Sequence, residues 1–264
     1  MCLALLALDA HARHAVVLAA NRDEFHARAA DPAHWWPGEE ILAGRDRVAG
    51  GTWLGVDRHG RFAFVTNVRE PGRHDPSAPT RGTLVPRVLH DEAEVVEAVS
   101  NAVRDSARMN GFNLLAGEPG VAAWSSNRAA GVLTLARGVH GVSNAALDTP
   151  WPKLVRTRSA LEAWLREGTD AIEPLFALLA DRTPAEDDDL PRTGVTREWE
   201  RMLSSPFIVA PNYGTRCSTI VLIDRDGAVR FVERSFDAEG RVSGEVDQRF
   251  VVEPAAARST SPMA

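Results

Sequence analysis

The chain opens on the apolar run CLALLAL at residues 2–8, and a second run, HAVVLAA, follows at 14–20 after the polar break DAHAR. Two short apolar runs around such a break predict a hairpin of largely buried strands. Chain ends usually fray unless something ties them down, so an apolar start implies a structural anchor there. The sequence then turns polar at NRDEF, directly after the second strand, and residues 27–46 show no sustained period. WLGV and RFAFVTN flank a DRHG turn and read as a second hairpin, while the segment 69–82 is a Pro/Gly loop.

Helices are expected at about 83–89 and 92–108, the second carrying Val95, Val96, Val99 and Val103 near a 3.6 spacing. Three strands with tight turns follow over 111–138. HGVSNAALDTPWPK reads as a loop running into a helix at about 153–166, with Leu154, Leu161 and Leu165 on one side. A further helix is expected at 170–181, then a charged, proline-containing loop over 181–194 that should be mobile. RCSTIVLID and AVRFVERSF surround an Asp226-Gly227 turn, and 246–252 is the last expected strand. Strands and helices come in blocks rather than in alternation, so the class is α+β. Without a repeat, heptad or sharp linker, residues 1–253 read as one domain and 254–264 as a disordered tail.

Composition narrows the function classes. The 264 residues are 44% apolar and 25% charged, the mix of a folded globular protein. Thirty Lys and Arg against 36 Asp and Glu give a net charge of -6, which works against non-specific attraction to nucleic acid. The arginines are spread along the chain, so there is no polybasic membrane patch. No stretch reaches the roughly 18 apolar residues that a span requires, and Asp9 with the lack of a basic start argues against a signal peptide. Two cysteines 215 positions apart make no disulfide framework. The expected setting is the reducing cytoplasm, with no stable membrane insertion.

Cys2 leads the candidate chemistry. Removal of the initiator Met leaves a residue with both a thiol and a free α-amine, whose ordinary pKa values are about 8.5 and about 8. One residue then supplies nucleophile and base, so acyl transfer can run without a separate histidine. In a hairpin the end of the second strand returns to the start of the first, which brings Asn21, Arg22, Asp23 and Glu24 beside Cys2. There a carboxylate can hold the α-ammonium and Arg22 can lower the thiol pKa. Asn67, at a strand end, and Asn144, in a loop, can each donate to an oxyanion. Arg216 opens a strong strand and can face inward. Cys217, on the opposite face of a regular strand, reads as core rather than as a second catalytic thiol.

Taken together, Cys2, Asn21 to Glu24, GGTWLG at 50–55, Asn67, GFNL at 111–114, Ser143-Asn144, Thr149-Pro150-Trp151 and Gly214-Thr215-Arg216 resemble the NRDE-motif family, that of transport and Golgi organisation protein 2. The resemblance runs from residue 2 to about 252. It implies an N-terminal nucleophile hydrolase-like fold, a four-layer αββα sandwich of two antiparallel sheets, distantly similar to the conjugated bile acid hydrolase and penicillin V acylase group. By that likeness Asp23 matches the group's catalytic Asp, Asn144 its oxyanion-side Asn and Arg216 its late Arg. Asn67 or Asn113 matches a second Asn. Where that group has an Arg before its Asn-x-Asp string this chain has Ala20, with Arg22 inside the string instead.

The implied activity is hydrolysis of a small non-peptide amide by the Cys2 thiolate and its own amine. The alternative that the resemblance implies is a non-catalytic carrier of haem or of an acyl-CoA or lipid-like ligand in the same cleft. No resident cofactor is expected, since there is no Cys-x-x-Cys-His string, and no metal, since no close Cys/His cluster is visible. His11, His14, His26 and His34 are expected to be solvent-exposed. Gly50, Gly51 and Gly55 lack the Lys of a phosphate loop.

Overall fold

The computed structural model describes residues 2–253; the expected tail lies outside them. Strands β1 (Cys2–Leu8) and β2 (His14–Phe25) form the expected hairpin. The second strand runs five residues further than the apolar pattern suggested, so Asn21 to Glu24 lie inside β2 and not after it. β3 (Ala30–Trp35) and β4 (Ile41–Asp46) occupy the segment that showed no period, and β5 (Leu54–Asp57) and β6 (Phe62–Asn67) form the DRHG hairpin. Helices α1 (Leu84–Leu89) and α2 (Val95–Val103) precede β7 (Phe112–Glu118), β8 (Val121–Ser126) and β9 (Val132–Thr134). β10 (Gly138–Val142) runs into the stretch read as a loop.

After β10 come α3 (Pro152–Glu167), α4 (Glu173–Leu179) and an unforeseen short helix, α5 (Arg197–Met202). β11 (Tyr213–Asp224), β12 (Ala228–Phe236) and β13 (Val242–Val251) complete the described chain. In the acidic stretch before α5, Asp187 accepts Arg201 at 2.5 Å and lies 3.6 Å from Arg197.

The strands form two antiparallel sheets, one ordered β10-β1-β2-β11-β12-β13 and the other β3-β4-β5-β6-β7-β8-β9. Ala4, Leu6, Leu8, Val16 and Leu18 meet Leu54, Phe62, Phe64 and Leu115 between the sheets. Leu3, Leu5, Ala7 and Val17, on the opposite face, pack against Leu154, Leu161 and Leu175 of α3 and α4. Val85, Val88 and Val99 of α1 and α2 cover the outer face of the second sheet. This is the four-layer αββα arrangement. It also explains why CLALLAL is apolar without alternation: both faces of β1 are covered, and each fully buried Leu contributes roughly 1.5–3 kcal/mol. The chain start is thereby fixed in the middle of a sheet.

Candidate active site

The hairpin register sets Cys2 directly opposite Arg22, and Ser143 Oγ donates to the Cys2 carbonyl at 3.1 Å. Alternation along β2 sends Arg22 and Glu24 to the side between the sheets, with Cys2, and sends Asn21 and Asp23 to the helix side. Cys2 opens on a cleft of about 120 Å³ whose walls include Arg22, Asp23, Arg28, Trp53, Asn67 and Arg81. Burial pushes the Cys2 thiol above its ordinary pKa, while Arg22 and a hydrogen bond from the Asp23 backbone N–H act the other way. Arg22 lies over the Trp53 ring at 4.4 Å and 3.8 Å from Asp46.

Asp23 is almost fully buried, and burial raises its carboxyl above the usual carboxylate range. Its Oδ1 accepts from Thr215 Oγ1 at 2.7 Å, and its carbonyl accepts from the Tyr213 hydroxyl at 3.0 Å. Asn21 is a fastening residue. Its Nδ2 donates to the carbonyls of Leu179 and Pro206, and its Oδ1 accepts from Ser218, tying β2 to α4 and β11.

Asn67 lines the Cys2 cleft, and its carbonyl accepts from Asn144 Nδ2 at 2.9 Å. Asn144 is buried and stands one hydrogen bond behind that wall. Asn113 donates to Thr66 Oγ1 and the Ala145 carbonyl. The structure does not bring Arg216 into this cleft. A bulge between Thr215 and Cys217 leaves it out of register, and its Nη1 donates to His26 Nδ1 at 2.9 Å. The bulge also removes the regular alternation assumed for Cys217. That thiol is nonetheless buried, with its pKa pushed well up by burial.

Sequence reading passed over two further residues. Lys153, in the first turn of α3, is buried and its Nζ has no hydrogen-bond partner among the described residues. Burial pushes its pKa down to about 8, with the Asp23 carboxyl as the main opposing influence. An ammonium and a carboxyl thus share the buried space under Cys2. The signal was PWPK, since a helix opening on Pro152 fixes the direction of the next side chain. The other residue is Arg81, in the loop read only as Pro/Gly-rich. It lines the cleft, and its Nη1 donates to the Gly111 carbonyl at 2.9 Å.

The histidine expectation needs correction. His11 and His14 are buried, stacked on each other at 4.6 Å and near Trp164, because the β1–β2 turn is covered by α3. Contrary to the expectation of no metal-type cluster, they join Asp170 with potential ligand atoms all within 4.8 Å. This group lies at the opposite end of β2 from Cys2. His14 Nδ1 is bonded to Asp224, and its Nε2 lies 3.3 Å from Asp170. His11 Nδ1 accepts the amides of Arg13 and His14, so its proton sits on Nε2. The cluster has three side chains, Asp170 among them exposed, against the four ligands of a structural metal site.

Two antiparallel sheets between helical layers, with Cys2 starting an interior strand, make an N-terminal nucleophile hydrolase-like fold. A mutant of the conjugated bile acid hydrolase from Clostridium perfringens has this fold, with a TM-score of 0.53 at 10% identity, over 96% of this chain and 97% of that one. The family model for Transport and Golgi organisation 2 matches residues 1–238, and the chain belongs to that family. The Transport and Golgi organization protein 2 homolog of Homo sapiens is 36% identical over 238 residues, covering 83% of this chain and 86% of that protein. The Bos taurus homolog is 35% identical over 240 residues with the same shares, and the Drosophila melanogaster protein 26% over 267, covering 89% and 92%. Among the described residues no helix is long and apolar enough to cross a membrane.

Proposed function

We propose that this chain is an N-terminal-cysteine amidohydrolase of the cytoplasm that cleaves a small non-peptide C–N bond. The observation that carries the reading is Cys2 at the mouth of a polar cleft, with the buried Asp23 one register position from its partner Arg22. Removal of Met1 frees the α-amine. The amine takes the thiol proton, the thiolate sulfur bonds to the amide carbonyl carbon, and the C–N bond breaks as the ammonium returns that proton to the leaving amine. Water, with its proton drawn off by the amine, then opens the thioester and restores the thiol.

In this reading ionised Asp23 holds the α-ammonium, Arg22 favours the thiolate, and Asn67, braced by Asn144, presents its amide to the oxyanion. Arg216, bonded to His26 outside the cleft, is assigned no step. The carrier alternative, with haem or an acyl lipid in the same place, gains no observation of its own. The cleft is well below the ~300–1,000 Å³ of sites for larger ligands and is walled mainly by polar and charged groups. The test is denaturing mass spectrometry of protein incubated with a panel of N-acyl amides. An acyl adduct on wild type that is absent from Cys2→Ala supports the reading; amide turnover by Cys2→Ala at the wild-type rate overturns it.

A further inference from the structure

The charges around the cleft do not all find partners. Its walls hold Arg22, Arg28 and Arg81 against Asp23, Glu24 and Asp46. Asp46 accepts from Arg28 at 2.7 Å and lies 3.8 Å from Arg22, and Glu24 is 3.9 Å from Arg28. Asp23 is held by Thr215 and faces Lys153. Arg81 alone among these cations has, within the described residues, no carboxylate within 4 Å; its bond to the neutral Gly111 carbonyl uses one nitrogen of the guanidinium. Burial disfavours its charge. Glu24 and Glu70 favour it only from beyond ion-pair distance, and a partly desolvated cation with no carboxylate in contact is a cost to the fold.

The backbone that carries that cation is interlocked with a neighbouring loop. The Gly82 carbonyl accepts from Thr52 N–H at 3.0 Å, and Gly82 N–H donates to Thr80 Oγ1 at 3.2 Å. Gly51 lies so close that a Cβ there would meet the Gly82 carbonyl oxygen at 2.3 Å. GGTW and TRG are therefore one interlocked unit, backbone against backbone, which carries Trp53 and Arg81 on two walls of the Cys2 cleft. A guanidinium fork on such a base matches the paired oxygens of a carboxylate, sulfonate or phosphate.

We propose that Arg81 is the anion-recognition residue of the cleft, and that the substrate is an N-acyl amide with an oxyanion group close to its scissile bond. The inference rests on the amidohydrolase reading for the word substrate and on the charge arrangement for the word anion. A cleft of about 120 Å³ holds the space of about four waters, enough for a small anionic headgroup with the acyl chain leading outward.

Binding is separated from turnover in the full chain carrying Cys2→Ala. Isothermal titration at low salt compares N-octanoylglycine with its neutral counterpart N-octanoylglycinamide, and N-octanoyltaurine and N-octanoyl-phosphoethanolamine serve as the sulfonate and phosphate arms. At least one anionic amide is expected to bind 10-fold or more tighter than the neutral one. Adding Arg81→Gln removes that preference, while Arg81→Lys keeps part of it. Circular dichroism of both variants checks the fold. Equal binding of neutral and anionic amides, no binding by any anionic arm, or a preference that survives Arg81→Gln in the folded protein overturns the proposal. Cleavage of neutral amides by wild type without anion preference removes Arg81's role and leaves the hydrolase standing; anion-selective binding without cleavage does the reverse.

Discussion

At the scale of residues the account turns on a buried charge pair under the nucleophile. Asp23 must be ionised to hold the α-ammonium, yet burial raises its pKa, and Lys153 is the first influence that lowers it again. The sign follows directly. Without the Lys153 cation the carboxyl keeps its proton to higher pH, so the acid limb of Cys2 acylation moves up. Lys153→Met is expected to shift that limb upward, since a nearby opposite charge favours the ionised carboxyl. The measurement is the pH profile of acyl-adduct formation; an unmoved limb would remove Lys153 from the mechanism. Sequence reading missed Lys153 because a charged residue early in a helix normally lies in water. It found Cys2, Arg22 and Asp23 because a hairpin alone brings them together.

At the scale of elements the interlock between residues 50–53 and 80–83 makes the cleft a built object. Gly51 sits there because no side chain fits against the Gly82 carbonyl. Gly51→Ala should cost about 1–3 kcal/mol in urea unfolding and displace Arg81 with the turn. An unfolding midpoint equal to that of the parent would show that the two loops can part freely. Elements were legible where pattern and packing agree. CLALLAL is buried on both faces, and a short run of that kind reads as a strand. β3 was hidden because it is an edge strand containing Pro32, with a register shift between Asp31 and His34. α5 was hidden because six residues capped by Thr196 carry little periodicity. The polar end of β2 looked like a turn because the pattern cannot show that Ser218, Thr215 and Tyr213 of the neighbouring strand satisfy it.

At the scale of the whole molecule the two sheets must be held together at the site end. Arg69, just after β6, donates its backbone N–H to the Asn144 carbonyl and its Nη1 to Glu200 of α5 at 2.5 Å, both side chains being buried. Thr193 donates to the same carboxylate. Removing one partner leaves a buried charge, so Arg69→Met is expected to lose about 3–5 kcal/mol, and adding Glu200→Gln should recover part of it. Denaturant titration of the two variants checks this; a loss under about 1 kcal/mol for the single variant would contradict it. The four-layer architecture entered through the family resemblance, because strand order and crossings leave no trace in local periodicity. The α+β class alone followed from the blocks of strands and helices.

The central claim is that Cys2 acts with its own α-amine. The most direct test is the intact mass of the protein purified from cells, read before and after incubation with an N-acyl amide that it turns over. The account predicts a mass lower by one methionine and, at early times, a single acyl group that maps to Cys2. A fully active protein that retains Met1, or an acyl group on any other residue, would contradict it.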